Sequence, residues 1–547
     1  MAAGLTVGVM LIPQGMAYAM LAGLPPIYGL YAATIPLIVY AFLGTSRQLS
    51  VGPGAMVAIL IASGVGGIAS QGTTEYIQLA LLLALMIGSI QLLMGVLRMG
   101  FIVNFLSHPV IAGFTSAVAI IIAINQLKYL LGISLSRGMF HEVLIEAFTR
   151  FSETNWITFL IGISGISILI LINRFVNKLP GPLIIVALSI LIVWALGLIN
   201  SGVEIVGDIP SGLPLISIPH IDQGSMVSLL PIAFTIAFIG FMQSIAVAKA
   251  IQKKHKNYTI VANNELIALG MANILGSMFK AFPVTGGLSR SAVNDQSGAK
   301  SGMASIISAL LVIVVLLFFT PYFYYLPKAI LAAIIMVAIY GLIDFKEARH
   351  LWRTDKTDFG LFIATALATL FMGIEEGIGT GVVLSLIMVV YRSSFPHIAE
   401  LGQIPDSTQY RNVKRFDDLI DRNDTIILRI DARLYFANLN FIKETIYAKL
   451  ANKKGARYLI LDASAISGID SSSVHMLREL QEDLKKRNIS IHFVDVKGPI
   501  RDILKKNELL TEKGPFSYAL TIDDAVKQIA EKGRLDFNVP YVFESQN

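Results

Sequence analysis

Long apolar blocks, separated by short polar breaks, occupy most of this chain. They lie near 5–21, 27–43, 53–68, 77–97, 110–126, 157–173, 181–199, 228–247, 262–278, 288–298, 302–319, 325–343, 359–373 and 378–391, fourteen in all. A bilayer core about 30 Å thick takes about 20 apolar residues, so each block predicts a membrane-crossing helix. The third and tenth blocks are short, and each follows a Gly/Pro/Ser-rich lead: GTSRQLSVGPGA (Gly44 to Ala55) and AFPVTGGLSRSAVNDQSGAKS (Ala281 to Ser301). The run from Pro283 to Gly287 cannot easily continue as helix, which predicts unwound chain and a helix start near Leu288 or Ser289. Pro53 stands where a first helical turn tolerates proline. Two short interrupted blocks, seven spans apart, predict an inverted repeat of seven plus seven spans, with a site between the two half-helix starts.

The pattern changes beyond about Ser407, where charged residues reach ordinary density. Strand-like runs TIILRID (425–431), RYLILDAS (457–464) and ISIHFVDV (489–496) alternate with helical patterns at 439–452, 473–486, 498–506 and 522–532. This alternation predicts a mostly parallel sheet with covering helices. The fold class expected is therefore a polytopic α-helical membrane protein, residues 1–396, followed by a small soluble α/β domain, residues 397–547. Asp470 and Ser471 are natural N-caps for the helix after the second strand. GMFHEVLIEAFTR (138–150) reads either as an amphipathic helix on the outer face or as an exposed loop.

Composition agrees with a membrane protein: 54% of the 547 residues are hydrophobic and 15% charged, against about 25% charged in soluble domains. The net charge of +6 fits a positive-inside bias better than a nucleic-acid footprint. With the first residue in the cytoplasm, Arg47, Arg98, Lys249, Lys254, Lys346, Arg349 and Arg392 fall in inside loops. Lys128, Arg150, Lys280 and Lys328 fall outside, and the C-terminal domain is cytoplasmic. The absence of cysteine excludes disulfides and thiolate metal sites. No cofactor is called for: metal-spaced histidines, nucleophile–base motifs and a Walker-type loop are missing, which argues against an enzyme. No cleavable signal is visible, and the abrupt apolar start predicts a polar segment ahead of Met1.

Arg290 is the residue hardest to explain as packing. An arginine in the middle of a span costs roughly 2.5–3.5 kcal/mol on insertion scales, so it is expected to face a watery cavity or a charged partner. A helix start adds free N–H groups and a positive dipole end, and Ser289 adds a hydroxyl; together they suit a small anion. The plainer reading is that Arg290 braces the bundle through backbone carbonyls. In the other lead, Val51, Gly52, Gly54 and Ala55 offer backbone more than side chains, and small residues let an anion approach the amides, or simply let helices pack closely. Gln14 and Tyr18 share one face of the first span.

PPIYGLYAA (Pro25 to Ala33), LTVGVMLIPQGMAYAMLAGLPP before it, GTSRQLSVGPGAMVA, NNELIALGMANILGS and FPVTGGLSRSAVNDQSGAK together resemble the sulfate permease (SulP) family of anion transporters. The tail resembles a STAS domain, and the bacterial sulfate-permease branch is the expected placement. The resemblance implies a core and a gate domain moving in an elevator-type cycle, a homodimer in the lipid bilayer, and sulfate or a similar anion as substrate. Dicarboxylate, bicarbonate or chloride are the alternative substrates, and an anion-sensing scaffold acting through the STAS domain is the alternative role. The cell's inner (plasma) membrane is the expected location. Ser289 and Arg290 match the family's Ser-Arg pair, and Gln14 and Tyr18 match positions lining the site. Gln243 departs from the pattern FMESIAVAKA, in which a glutamate could couple transport to protons. Glutamine cannot titrate, so either a natural exchanger or uniporter, or a substitution trapping one state, would account for it. Ser471 takes the place of the phosphorylatable serine of anti-sigma antagonists, though a plain cap is the expected role. A cytoplasmic protein partner at the STAS domain is an expectation of the same kind.

Overall fold

The computed structural model describes residues 1–532 except 102–106, 136–137, 176–179, 253, 256–257, 341 and 511–515. The chain divides into two compact units, Met1–Ser385 and Leu386–Asn547. The last stretch of the expected C-terminal domain, 533–547, lies outside the described residues.

Each of the fourteen apolar blocks carries helix. The first is α1 (Ala2–Leu21). The second breaks into α2 (Ile27–Tyr31) and α3 (Ile35–Leu43), with Pro36 in the first turn of α3. Proline has no N–H and crowds the carbonyl four residues back, so the helix cannot run through. The backbones of α1 and α2 touch directly: a Cβ on Gly29 would sit 1.9 Å from the carbonyl oxygen of Gly15. No residue but glycine fits there, which accounts for the Gly in PPIYGLYAA.

The third block is the short α4 (Ala55–Gly64), preceded by strand β1 (Val51–Gly52). There follow α5 (Thr74–Val96), α6 (His108–Leu131), α7 (Phe140–Thr149), α8 (Trp156–Phe175), α9 (Gly181–Ala195), α10 (Gln223–Gln252) and α11 (Ala262–Met278). Strand β2 (Thr285–Gly286) precedes the short α12 (Leu288–Gln296). The rest are α13 (Met303–Phe318), α14 (Lys328–Tyr340), α15 (Phe345–Thr354), α16 (Lys356–Phe371) and α17 (Ile374–Ser394). The ambiguous 138–150 segment is thus a helix, α7, and it buries Val143 and Ala147, which lie four residues apart on one face. At ten and nine residues, α4 and α12 are each about 15 Å long, half the thickness of a bilayer core.

In the second unit β3 (Ile398–Gln403), β4 (Tyr410–Asn412), β5 (Thr425–Ile430), β6 (Tyr458–Asp462), β7 (Ser490–Val494) and β8 (Ser517–Ala519) form one sheet in the order β4-β3-β5-β6-β7-β8. The pairs from β5 to β8 are parallel, and β3 joins antiparallel. Helices α18 (Leu439–Asn452), α19 (Ser471–Lys486), α20 (Gly498–Lys506) and α21 (Ile522–Lys532) complete it. Ile426, Leu428 and Leu461 pack with Leu477 and Leu480 in one core, and Ile427, Ile460 and Val494 with Val526 and Ile529 in another. Covering both faces explains why these strands read as unbroken apolar runs.

The expected cap role of Ser471 is corrected. Asp470 is the N-cap of α19: its Oδ1 accepts from the Ser473 N–H at 2.8 Å and from the Ser473 hydroxyl at 2.6 Å. An extended backbone at Asp470 aims the carboxylate at the third helical N–H, and Ser471, one residue later, is left exposed. Partial burial raises the Asp470 pKa, but the bonds from Ser473 and Phe436 outweigh it and hold the carboxyl below its ordinary 3.8. The depressed folded value means that the cap contributes stability fully above that ordinary value and loses it as pH falls through the folded one. Asp470→Ala is expected to cost about 1 kcal/mol locally. Amide hydrogen exchange in the first turn of α19 should then run about fivefold faster at neutral pH.

Candidate functional site

The two short helices begin at the same place. Strands β1 and β2, the last turns of chain before them, pair antiparallel, with Val51 opposite Gly286 and Gly52 opposite Thr285. The leads are tied further by the Gly287 N–H to the Ser50 carbonyl at 3.0 Å and the Ser50 N–H to Ser291 Oγ at 2.9 Å. So the N-terminal ends of α4 and α12 face one region, and both positive dipole ends meet there.

Strand β2 is fixed from behind by polar side chains on apolar helices. Ser244 on α10 accepts from the Gly286 N–H at 2.8 Å and lies 2.9 Å from Thr285 Oγ1. Asn273 on α11 accepts from the Val284 N–H at 2.8 Å and donates to the Val284 carbonyl at 3.2 Å. Gln91 on α5 accepts from Asn273 and donates to the Ala237 carbonyl. Strand-like backbone inside an apolar bundle needs such partners, because no water replaces them. Sequence reasoning missed Gln91, Ser244 and Asn273; their signal was a polar residue inside an apolar block.

Arg290 lies in the first turn of α12 and is 2% exposed. Its Nη1 donates to the Pro53 carbonyl at 2.6 Å, which bridges the α12 start to the α4 lead. Its Nε and Nη2 are buried and have no hydrogen-bond partner. The guanidinium lies against Gly287, where a Cβ would come within 2.6 Å of Nη2, and against Gly52, where it would come within 3.5 Å. The brace expected of Arg290 is therefore real but uses one nitrogen of three.

Of the other predicted residues, Tyr18 is buried on α1 and lies within electrostatic reach of Arg290. Gln14 is 5% exposed, and its Oε1 is buried without a partner. Val51, Gly52 and Gly54 are buried and Ala55 half-buried; Val51 and Gly52 belong to the strand pair, so part of their backbone is already engaged. Ser289 is exposed beside Leu288. Gln243 is half-buried, with Oε1 buried and unpartnered. A cavity of about 560 Å³ runs from Gln243, Met56 and Leu288 to His108, Lys249 and Asp344. Those last three belong to the side assigned to the cytoplasm by loop charge. The structure thus joins β1, β2, Arg290 and Tyr18 in one site, and places Gln243 on the cavity wall beside the α12 start.

From sequence, Asp295 and Lys300 at the end of the tenth block are expected to form a local ion pair, and that expectation fails. Asp295 does not pair with Lys300 but with Lys254, at 3.3 Å, and with His255. Lys254 and His255, just after α10 in the sequence, lie at the end of α12. Among the described residues no cluster of histidine, aspartate and glutamate could hold a metal ion.

Residues 1–365 match the model of the sulfate permease family, and residues 418–539 match the STAS domain. The chain is 40% identical to the chloroplastic sulfate transporter 4.1 of Arabidopsis thaliana, over 96% of this chain and 79% of that protein. It is 41% identical to the probable sulfate transporter 4.2 of the same plant, over 96% and 80%. Its fold matches the solved structure of the murine Slc26a9 anion transporter in the inward-facing state, with a TM-score of 0.88 and 27% identity over 97% of this chain and 90% of that one. The bacterial placement expected from the motifs is not borne out, since these relatives are plant sulfate transporters. The chloroplastic relative also leaves the expected plasma membrane without support.

Proposed function

We propose that this chain, which belongs to the sulfate permease family, carries sulfate or a similar small anion across a membrane by alternating access. Residues 1–396 are the transport domain and 397–547 the STAS domain. The observation that carries the reading is Arg290, buried between two helix starts with two guanidinium nitrogens unpartnered. A buried cation without a partner is costly, and a dianion supplies charge and acceptors together. Nε and Nη2 would take two oxygens side by side, the amides of the α4 and α12 starts would face the remainder, and Tyr18 would close the site from α1. Gln14, whose Oε1 is an acceptor, would turn its amide N–H₂ to the anion, and Ser289 would donate its hydroxyl from the exposed side.

The cavity from Gln243 to Lys249 supports a resting state open to the cytoplasm, and Lys249 would draw anions to its mouth. The core would move against the gate in an elevator-type cycle, within a homodimer, with the C-terminal domain in the cytoplasm of a plasma (inner) membrane. Coupling to protons would fail at residue 243. Glutamine there imitates a carboxyl held protonated, so the cycle would run as exchange or uniport.

The test is uptake of radiolabelled sulfate into proteoliposomes, with and without an inward proton gradient, for this chain and for Gln243→Glu. This chain is expected to take up sulfate equally in both conditions, whereas Gln243→Glu concentrates it only under the gradient. Uptake of dicarboxylate, bicarbonate or chloride but not sulfate would refute the substrate, and failure to move any anion would refute transport.

A further inference from the structure

The second unit holds a group of cations that anion transport does not use. Arg411, Arg415 and Arg429, with His397, Phe416 and Asp431, line a cavity of about 280 Å³. Strand β3 runs between β4 and β5, and it places Gly402 opposite Arg411 and Ala399 opposite Arg429.

Among the described residues, the one carboxylate lining the cavity, Asp431, is already engaged. Arg429 donates from Nε to Asp431 Oδ1 at 2.6 Å and from Nη2 to Oδ2 at 3.2 Å, and His397 Nδ1 lies 2.8 Å from Oδ2. Partial burial raises the Asp431 pKa, but these bonds and charges outweigh it and keep the group ionised. Asp431 therefore orients Arg429 and His397 while cancelling only one of three guanidinium charges. Arg411 donates to the Tyr410 carbonyl and to Gln409 Oε1, both at 3.1 Å and both neutral. The Arg415 guanidinium has no partner among the described residues. Exposed Phe416 adds an apolar wall beside the excess charge.

The place of the pocket along the chain bears on its ligand. Helix α17 ends at Ser394, and His397 follows three residues later, about 10 Å of extended chain. Tyr391 and Phe395 at that helix end are 58% and 52% exposed, with ring centroids 4.8 Å apart. Exposed aromatic rings at the end of a span mark the headgroup layer. His397, one wall of the pocket, thus follows closely on the end of an expected span, so an anionic headgroup is one source of phosphate to test.

We propose that this pocket binds the tetrahedral oxyanion of a phosphate group, carried by an anionic lipid headgroup or free in solution. Arg415 and Arg411 would grip its oxygens, and Arg429 would add charge from an orientation set by Asp431.

The test uses the full-length protein in detergent carrying Phe416→Trp; the difference between its emission and that of the unsubstituted chain, which holds Trp156, Trp194 and Trp352, reports on this pocket. Dioctanoyl phosphatidylglycerol, dioctanoyl phosphatidylinositol phosphate, inorganic phosphate and sulfate are titrated, with dioctanoyl phosphatidylcholine as control. Native mass spectrometry of the unsubstituted chain gives a second readout. A saturable change is expected, weakened about tenfold or more by Arg415→Gln and by Arg411→Gln together. Unchanged sulfate uptake in that double variant shows that its fold is intact. Saturation by an anionic lipid at about tenfold lower concentration than inorganic phosphate assigns the lipid source. Equal or better saturation by phosphate or sulfate assigns the soluble one. No saturable change at millimolar concentration by either readout, or binding that survives the double substitution, overturns the site.

Discussion

Arg290→Gln is expected to reduce sulfate uptake by proteoliposomes between about thirtyfold and a few thousandfold. Losing one partner of a buried, hydrogen-bonded charge pair costs about 2–5 kcal/mol, and each 1.4 kcal/mol is tenfold. The loss should exceed that of a simple brace. Arg290 spends one nitrogen on the Pro53 carbonyl, and Nε and Nη2 are free of protein partners. Glutamine keeps one N–H₂ group that can still reach a carbonyl, but it brings no charge and no paired donors. Thermal stability should move the other way: a buried cation with no anion in place is a liability, so Arg290→Gln should unfold at an equal or higher temperature than the parent. Arg290→Lys should be intermediate, because an ammonium restores charge without the planar fork. If Arg290→Gln transports at the parent rate, the arginine is a brace and the anion binds elsewhere.

Much of this site was legible in the sequence, and what was not has a common cause. Fourteen apolar blocks, two short ones and the Pro/Gly leads are local features, and so are the helix starts at Ala55 and Leu288. Arg290 stood out because charge inside an apolar block is costly wherever it lies. The antiparallel pairing of Val51 with Gly286 was invisible, since it joins residues far apart in sequence through two-residue strands that have no alternating pattern. The partners of Asp295 were misjudged for the same reason: Lys300 is near in sequence, while Lys254 and His255 are near in space. In the second unit the buried parallel strands were readable as apolar runs, whereas β4 and β8, three residues each, were too short to register. At Ser471 the sequence offered two adjacent caps, and backbone geometry chose Asp470.

The second large effect is expected at Glu265, which sequence reasoning quoted only as part of a motif. It lies on α11, fully buried, and both carboxylate oxygens are in use. Oε2 accepts from the Tyr40 hydroxyl at 2.6 Å. Oε1 accepts from the Thr45 N–H at 2.7 Å, the Thr45 hydroxyl at 2.6 Å and the Ser46 N–H at 3.2 Å. The lead from Gly44 to Ala55 therefore hangs from this side chain at its start. Farther along, the Gln48 carbonyl accepts from Asn294, and Gln48 donates to the Ala299 carbonyl. At its far end the Pro53 carbonyl receives Arg290. Glu265→Leu would leave four donors unmet, those of Tyr40 and Ser46 buried and the two of Thr45 half-buried, a loss of about 3–5 kcal/mol. The thermal midpoint in detergent should fall accordingly. Glu265→Gln keeps the shape and one carbonyl oxygen for Thr45 and Ser46, so it should fold, but its N–H₂ faces the Tyr40 hydroxyl, which must accept instead of donating to a carboxylate, and the charge that tightened all four bonds is gone. That loosens the lead, which would supply half of the proposed anion site, rather than the moving parts. Uptake by Glu265→Gln should therefore show KM for sulfate raised about tenfold or more, with the maximal rate changed less. A Glu265→Leu protein that melts with the parent, or a Glu265→Gln protein with unchanged KM, would show that the lead holds its position without the carboxylate.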